Sequence, residues 1–260
     1  MKLSLDLTKD INENAALCYE RAKRAKEKAE GAKKALETTQ KEVLALEREE
    51  QKPKQEKKVR VKRELEWFEK FHWFESSDGF LVYAGRDAQQ NDLIYSRYLQ
   101  ENDLFFHADI QGAPATVVRN GKEAPEKTLL EAAQFAASYS SAWKVGAASV
   151  DVYAVEKSQL SKHASGGFVG KGGFAIAGER KWFKNTQLAL VIGEGEKGVL
   201  AIPAREARTF KQAVKLIPGG KKEKGEIAKE LAKRFALDAN EILQILPSGN
   251  TRMSEREKGV

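Results

Sequence analysis

The feature that most constrains the fold is a heptad pattern of small apolar residues near the N-terminus. From Ile11 these residues recur at alternating spacings of four and three, through Cys18 and Leu36 to Leu46. The positions between them carry mainly Lys, Arg and Glu. Such alternation is typical of a coiled-coil helix, whose apolar seam faces another helix. We therefore expect one long helix over this region, with Asp10 or Asn12 as its N-terminal cap.

A second helix should follow it. Pro53 interrupts the first pattern, and Val61, Leu65 and Phe68 repeat the apolar spacing, which predicts a second helix over about 55–71 and a helical hairpin. The second run is much shorter than the first, so part of the first seam lacks a partner within the hairpin. Either a homo-oligomer through the coiled coil or earlier segments of a longer protein would cover it.

The charge balance favours a polyanionic partner. Lys and Arg outnumber Asp and Glu by 45 to 38, which gives a net charge of +7 and a pI near 9.2. One basic cluster, from Lys52 to Arg63, is either a solvated face or an RNA-phosphate contact. The single cysteine, Cys18, excludes an intramolecular disulfide, and no apolar run approaches the roughly 18 residues of a membrane span. We expect a cytoplasmic protein that does not engage a membrane.

After the arm, turn and strand signals alternate with helical ones and predict an α+β domain. Ser76–Gly79 has turn chemistry, 80–84 is apolar enough for a buried strand, and a helix over about 89–100 begins after a possible Asp87 cap. Arg86 lies at the strand exit, where α/β proteins often place functional side chains. The plainer alternative is that Asp87 only caps the helix and Arg86 is solvated.

A glycine-rich basic segment, QLSKHASGGFVGKGGFAIAGERKWFKN, has the most unusual composition in the chain. Glycines let backbone N–H groups approach phosphates, cations supply charge, and aromatic rings can stack on bases. An ordinary basic hairpin is the alternative. The residues that we predict to contact RNA are Arg86, Lys162, His163, Lys171, Arg180, Lys181, Trp182 and Lys184.

His107 and Asp109 suggest a different function. They alternate on one predicted strand and so share a face, an arrangement suited to acid–base or metal-assisted hydrolysis but also common as a structural pair. A metal-dependent hydrolase or nuclease is therefore one alternative. A protein scaffold that works through the alanine seam is another.

Several motifs occur together in one order: WFEKFHWFESSDGFLVYAGRDAQQND, DLFFHADIQGAP, TLLEAAQFAASYSSAW and SKHASGGFVGKGGFAIAGERKW. In this order they resemble the NFACT-R domain, the RNA-binding module of the NFACT ribosome quality-control factors. The resemblance covers about 67–246, and the preceding helix is similar to the end of that family's coiled-coil region. It implies a coiled-coil arm over 1–66 and an NFACT-R-like domain over 67–248. The polar composition of the last residues predicts a flexible tail over 249–260.

The resemblance also implies a function. The chain is expected to be a non-enzymatic module that binds ribosomal RNA or tRNA and engages the large ribosomal subunit obstructed by peptidyl-tRNA, in the rescue of stalled ribosomes. No catalytic residue, metal or cofactor is implied. The family's N-terminal, tRNA-recruiting domain has no counterpart in this sequence, which points to a fragment or a short paralogue.

Overall fold

A computed structural model describes residues 5–50, 64–164, 167–195, 198–206, 210 and 212–255, without the side chains of 44–50, 164 and 255. The chain divides into two compact units, Met1–Lys57 and Lys58–Val260. Among the helices in these described ranges, none is both long and apolar enough to cross a membrane. The predicted basic cluster at 52–63 lies outside the described residues.

The first unit is built on one helix, α1 (Ile11–Glu50), as the heptad pattern predicts. Its cap is Asp10, whose Oδ1 accepts a hydrogen bond from the Glu13 N–H at 2.7 Å while Glu13 Oε2 accepts from the Asp10 N–H at 3.2 Å. The side-chain amide of Asn14 also donates to the carbonyl oxygens of Asp6, Lys9 and Asp10. The local sequence therefore fixes where the helix begins.

The predicted second helix is only partly testable, because 55–63 lies outside the described residues. Over 64–71 the prediction is wrong: 64–66 has no regular secondary structure, and 67–70 forms turns. Their hydrogen bonds go to the third preceding residue, such as Phe71 N–H to Phe68 O at 2.9 Å. Tertiary contacts explain the difference. Phe71 is fully buried, and the guanidinium of Arg86 donates to the carbonyl oxygens of Glu69 and Phe71.

The second unit combines strands and helices, which confirms the α+β class. Its strands within the described ranges are β1 (His72–Glu75), β2 (Leu81–Ala84), β3 (Leu104–Ala108), β4 (Thr116–Val118), β5 (Ser149–Glu156), β6 (Leu160–Ser161), β7 (His163–Ala164), β8 (Gly167–Phe168), β9 (Ala175–Ile176), β10 (Lys181–Gln187), β11 (Leu190–Gly195), β12 (Gly198–Pro203), β13 (Ala213–Lys222) and β14 (Thr251–Glu255). Its helices are α2 (Ala88–Leu93), continued by a π-helical turn (Ile94–Tyr98), α3 (Glu126–Ser138), α4 (Ser141–Lys144), α5 (Lys224–Phe235) and α6 (Ala239–Ile245). Asp87 caps α2, as the sequence predicts, and Asp238 caps α6.

The strands form two main antiparallel sheets. One has six strands in the order β1-β2-β4-β3-β5-β10, and the other has four in the order β12-β11-β13-β14. Two short hairpins, β6 with β9 and β7 with β8, carry the glycine-rich segment. The expected flexible tail over 249–260 is wrong for Thr251–Glu255, because this stretch pairs with β13 and the Thr251 hydroxyl accepts a hydrogen bond from the buried Trp143 ring nitrogen at 3.0 Å.

Helix α3 is buried and packs against strands of both sheets. Its alanines, Ala132, Ala133, Ala136 and Ala137, belong to the larger apolar core together with Trp143. Small side chains let the sheets approach the helix closely. Helix α3 therefore links the two sheets, because it packs against both.

The other face of the six-stranded sheet carries a second core. Because side chains alternate along a strand, β5 sends Val152 and Ala154 into the larger core and Tyr153 into the second. Tyr83 and Phe105 join Tyr153 there. This second face supports the glycine-rich segment, since Phe174 and Ile176 pack against it.

We predict that the buried hydroxyl of Ser138 is needed for stability. It bridges the carbonyl and the N–H of Ala189, at 3.4 and 3.2 Å, and both residues are buried. Ser138→Ala leaves the buried Ala189 N–H without its partner, whereas the Ala189 carbonyl keeps a hydrogen bond from the Ala204 N–H at 3.1 Å. The change should lower the free energy of unfolding by about 1 to 3 kcal/mol. Urea unfolding followed by tryptophan fluorescence measures the loss for the second unit alone, since all four tryptophans lie in it.

The matched control is Ser96→Ala. The Ser96 hydroxyl bonds to the Asp92 carbonyl at 2.8 Å in an exposed helical turn, where water replaces the lost bond. This change should alter stability by less than about 0.5 kcal/mol. Equal losses in the two variants would contradict the role assigned to Ser138.

Candidate nucleic-acid interface

Strand β10 forms one edge of the six-stranded sheet and carries much of the predicted site. Phe183 is buried and packs on Phe106 with ring centroids 5.5 Å apart. Strand alternation places Trp182 and Lys184 on the opposite face, where Trp182 keeps 38% of its surface exposed. Trp182 is therefore a surface side chain.

Cations and aromatic rings alternate along this edge. The Arg180 guanidinium lies 4.6 Å from the Tyr153 ring centroid, and the Trp182 ring is 5.3 Å from the same centroid. The Lys184 ammonium lies 3.9 Å from the Trp182 centroid. These separations are those of cation–π contacts and edge-to-face ring pairs. We call Arg180, Trp182 and Lys184, together with Lys181, the edge row.

Two lysines of the edge row form exposed ion pairs. Lys181 contacts Glu126 at 2.7 Å and Lys184 contacts Asp151 at 2.8 Å. Hydrogen bonds from Lys184 and from the Asn185 N–H lower the pKa of the Asp151 carboxyl. Such pairs hold the ammonium groups in place only weakly, because solvent and salt screen them. An RNA phosphate could replace either carboxylate.

A cleft of about 600 Å³ lies beside the edge row. Three loops wall it, over 85–88, 111–114 and 169–173, and they contribute Arg86, Gln111 and Lys171. Its remaining lining is His107, Tyr153, Phe105, Phe174 and Ile176, with Asn91 and Tyr139. We call this the glycine-walled cleft.

The polar groups of the cleft have distinct electrostatic states. Burial lowers the pKa of His107, so its imidazole is neutral at pH 7, and the Tyr153 hydroxyl lies 3.3 Å from its Nδ1. Burial also lowers the pKa of Arg86, but a guanidinium remains charged in proteins. Its guanidinium donates hydrogen bonds to neutral acceptors: the carbonyls of Glu69 and Phe71 and the amide oxygen of Gln244. The lining thus contains a charge that these bonds do not neutralise.

Lys162 fixes the glycine-rich loop. Its ammonium bonds to the Asp92 carboxylate and donates to the Gly173 carbonyl at 2.7 Å. Asp92 also accepts from the Gly172 N–H at 3.0 Å. The ammonium is therefore engaged within the fold. His163 is exposed and its ring meets Phe168 edge-on, with centroids 4.8 Å apart.

The predicted residues thus fall into three groups: the edge row, the cleft residues Arg86 and Lys171, and the loop residues Lys162 and His163. Sequence reasoning missed Tyr153, which joins the first two groups because it lines the cleft and lies beneath Arg180. Strand alternation could have assigned Tyr153 its face, but only cross-strand pairing sets it opposite Trp182 and His107.

His107 and Asp109 each contact a different neighbour in the fold. Asp109 is exposed just after β3 and its N–H donates to the Asp151 carbonyl at 2.7 Å, whereas His107 contacts Tyr153. Within the described ranges, the His, Cys, Asp and Glu side chains form no group of three or more that could hold a metal ion.

Comparison with known proteins identifies the domain. The model of the NFACT protein RNA-binding domain matches residues 70–178. The archaeal Rqc2 homolog aRqcH of Methanocaldococcus jannaschii is 41% identical over 209 residues, covering 76% of this chain and 31% of that protein. The ribosome quality control complex subunit NEMF homolog of Drosophila melanogaster is 37% identical over 195 residues, covering 72% of this chain and 19% of that protein.

A solved structure, the C-terminal part of the fibronectin/fibrinogen-binding protein of Streptococcus suis, superposes with a TM-score of 0.40 at 23% identity, over 51% of this chain and 50% of that chain. The chain spans less than a third of the length of the two relatives named above. The glycine-walled cleft lies wholly inside the matched residues, and the edge row begins just after them. Through this RNA-binding domain, the chain belongs to the NFACT family, whose relatives are ribosome quality-control factors.

Proposed function

We propose that this chain is a non-enzymatic RNA-binding module that engages the large ribosomal subunit obstructed by peptidyl-tRNA. The observation that carries the proposal is the edge row, where cations and an exposed tryptophan lie side by side on one strand. The matched RNA-binding domain and the relatives named as ribosome quality control proteins support it.

The edge row suits RNA for two physical reasons. Arg180, Lys181 and Lys184 can each contact a phosphate, and such contacts supply most of the sequence-independent affinity for nucleic acid. The exposed face of Trp182 can stack on a base that is not already stacked in a duplex. Phosphate and base contacts are both available along this edge of the sheet, since β10 is an edge strand.

The two parts of the chain, divided at about residue 67, have separate roles in this proposal. The α+β domain contacts RNA, and α1 forms an arm. In the family that the motifs resemble, tRNA recruitment belongs to an N-terminal domain. We therefore expect this chain to bind ribosomes, in the cytoplasm, without by itself supporting extension of the stalled chain.

Removing the edge-row cations tests the phosphate contacts. Replacing Arg180, Lys181 and Lys184 with Ala should flatten the slope of log affinity against log salt concentration by about 2 to 3, since each lost phosphate contact contributes about 0.7 to 0.9. The measurement is co-sedimentation with large ribosomal subunits at several salt concentrations, beside titrations of labelled RNA.

The matched control removes the same charge elsewhere, by replacing the exposed Lys144, Lys229 and Lys233 with Ala. It should leave the slope within about 1 of the unmodified chain, because general charge acts only at long range. A folded edge-row variant whose affinity and slope are unchanged would show that RNA is held elsewhere.

Trp182→Ala tests base stacking separately from charge. Loss of one base–aromatic stack should weaken binding of single-stranded RNA by about 5- to 150-fold, with little change in the salt slope. Trp182→Phe retains a smaller ring and should recover part of the affinity. The stability of the Trp182→Ala variant should also be measured by thermal melting. A loss of about 3 to 5 kcal/mol of stability would show a core role and contradict the stacking assignment.

The alanine seam predicts self-association through α1. Sedimentation velocity over a range of concentrations should show a reversible dimer, and Ala22→Glu should weaken it by placing a charge on the seam. Ala16→Glu is the matched control, because Ala16 adjoins the seam position Ala15 but lies off the seam. A strict monomer at high concentration, or equal effects of the two changes, would refute this prediction.

A further inference from the structure

The glycine-walled cleft has features that phosphate binding alone does not require. Its floor is aromatic and apolar: Phe105 and Phe174 meet edge-to-face at 5.2 Å, and Tyr153 and Ile176 lie beside them. At about 600 Å³ it falls within the usual range of small-ligand sites. The polar lining has two cations, Arg86 and Lys171, and one carboxylate, Asp87. An apolar floor with this net positive lining is suited to a ligand that has one flat apolar part and one anionic part.

The walls of the cleft are set by close backbone approaches. A Cβ at Gly172 would lie 2.7 Å from the Cβ of Ala88, and one at Gly85 would lie 2.2 Å from the Asn91 side-chain oxygen. Glycine is therefore required at both points for the loops to meet. Lys162 and Asp92 secure the glycine-rich loop through bonds to Gly173 and Gly172. The cleft is thus formed before any ligand enters.

Charged side chains and the Tyr153 ring connect the cleft to the edge row. Arg86, which donates to neutral acceptors, and the exposed Lys171 provide positive charge in the lining. Tyr153 forms part of the cleft lining while its ring contacts Arg180 and Trp182. A strand of RNA held at the edge row would therefore pass the mouth of the cleft.

We propose that the glycine-walled cleft receives one unpaired nucleotide, with its base against Phe174, Ile176 and the accessible part of Tyr153 and its phosphate near Arg86 and Lys171. This inference rests on the proposed RNA-binding function and names the kind of RNA that the site selects. A base inside a duplex has both faces covered by its neighbours, whereas a bulged or single-stranded base offers its face to an aromatic ring. The module should therefore prefer RNA that has an unpaired nucleotide.

Three RNAs of equal length test the preference: a fully paired duplex, the same duplex with one bulged nucleotide, and the bulged duplex with an abasic site at the bulge. Anisotropy titrations should give tighter binding of the bulged RNA than of the paired RNA by about 5- to 150-fold, the magnitude of one base–aromatic stack. The abasic RNA should bind like the paired duplex, because it retains the bend but lacks the base.

Gly170→Leu tests the location. Gly170 lines the cleft, its φ is not positive, and a Cβ built there meets no atom within 4 Å, so a larger side chain is compatible with the fold. The change should bring the affinity for bulged RNA down to that for the paired duplex. Gly225→Leu, at an equally open position in α5, is the matched control and should keep the preference. Lys171→Glu, at an exposed position, provides a second variant that should reduce the preference.

The outcomes separate the two proposals. Failure to bind any of the three RNAs would overturn both the RNA-binding function and the cleft assignment. Equal binding of paired and bulged RNA, or a preference unaffected by Gly170→Leu and Lys171→Glu, would overturn the cleft assignment alone. Tight binding of free mononucleotides such as 5′-AMP without a bulge preference would show that the cleft serves a free nucleotide, and would likewise overturn the assignment to RNA.

Discussion

The burial of α3 against both sheets is the constraint on which the rest of the second unit depends. A helix inside a core must satisfy every polar side chain that it carries. Thr128 contacts Ser76 and Asp78, Glu131 accepts from Ser77, and Gln134 bridges Gln187 and Arg205. These bonds hold the β1–β2 turn and the connection that follows β10. These contacts of α3 therefore fix the position of β10 from its buried face.

The six-stranded sheet uses its two faces differently. One face is covered by α3 and its alanines, so it contributes mainly stability. On the other face the cover is incomplete: Trp182 is exposed, and its cross-strand neighbour Tyr153 is buried beside it. Cations beside such rings gain cation–π attraction and remain exchangeable with solvent. A rigid sheet thus presents a surface that can bind both phosphate and base.

Much of the fold was predictable because its signals are local. The heptad pattern and Asp10 predict α1, the apolar run over 80–84 predicts β2, and the Asp87 cap predicts where α2 begins. Predictions failed where distant contacts outweigh local preference. At 64–71, burial of Phe71 and the carbonyl bonds to Arg86 replace a helix with turns, and Thr251–Glu255 becomes a strand because β13 offers an unpaired edge.

The sequence by itself determined the α+β class, the helical arm, the basic character and the clustering of Arg180, Lys181, Trp182 and Lys184, since neighbours along a strand stay neighbours in space. Only the tertiary structure decided which cations are free to meet a ligand. Lys162 lies in the same glycine-rich stretch as Lys171, yet its ammonium is engaged by Asp92, 70 positions away, while Lys171 lines the cleft. Cross-strand pairing likewise set Tyr153 between Trp182 and His107. Spacing along the chain cannot specify such pairings, because they depend on which distant residues the core brings together.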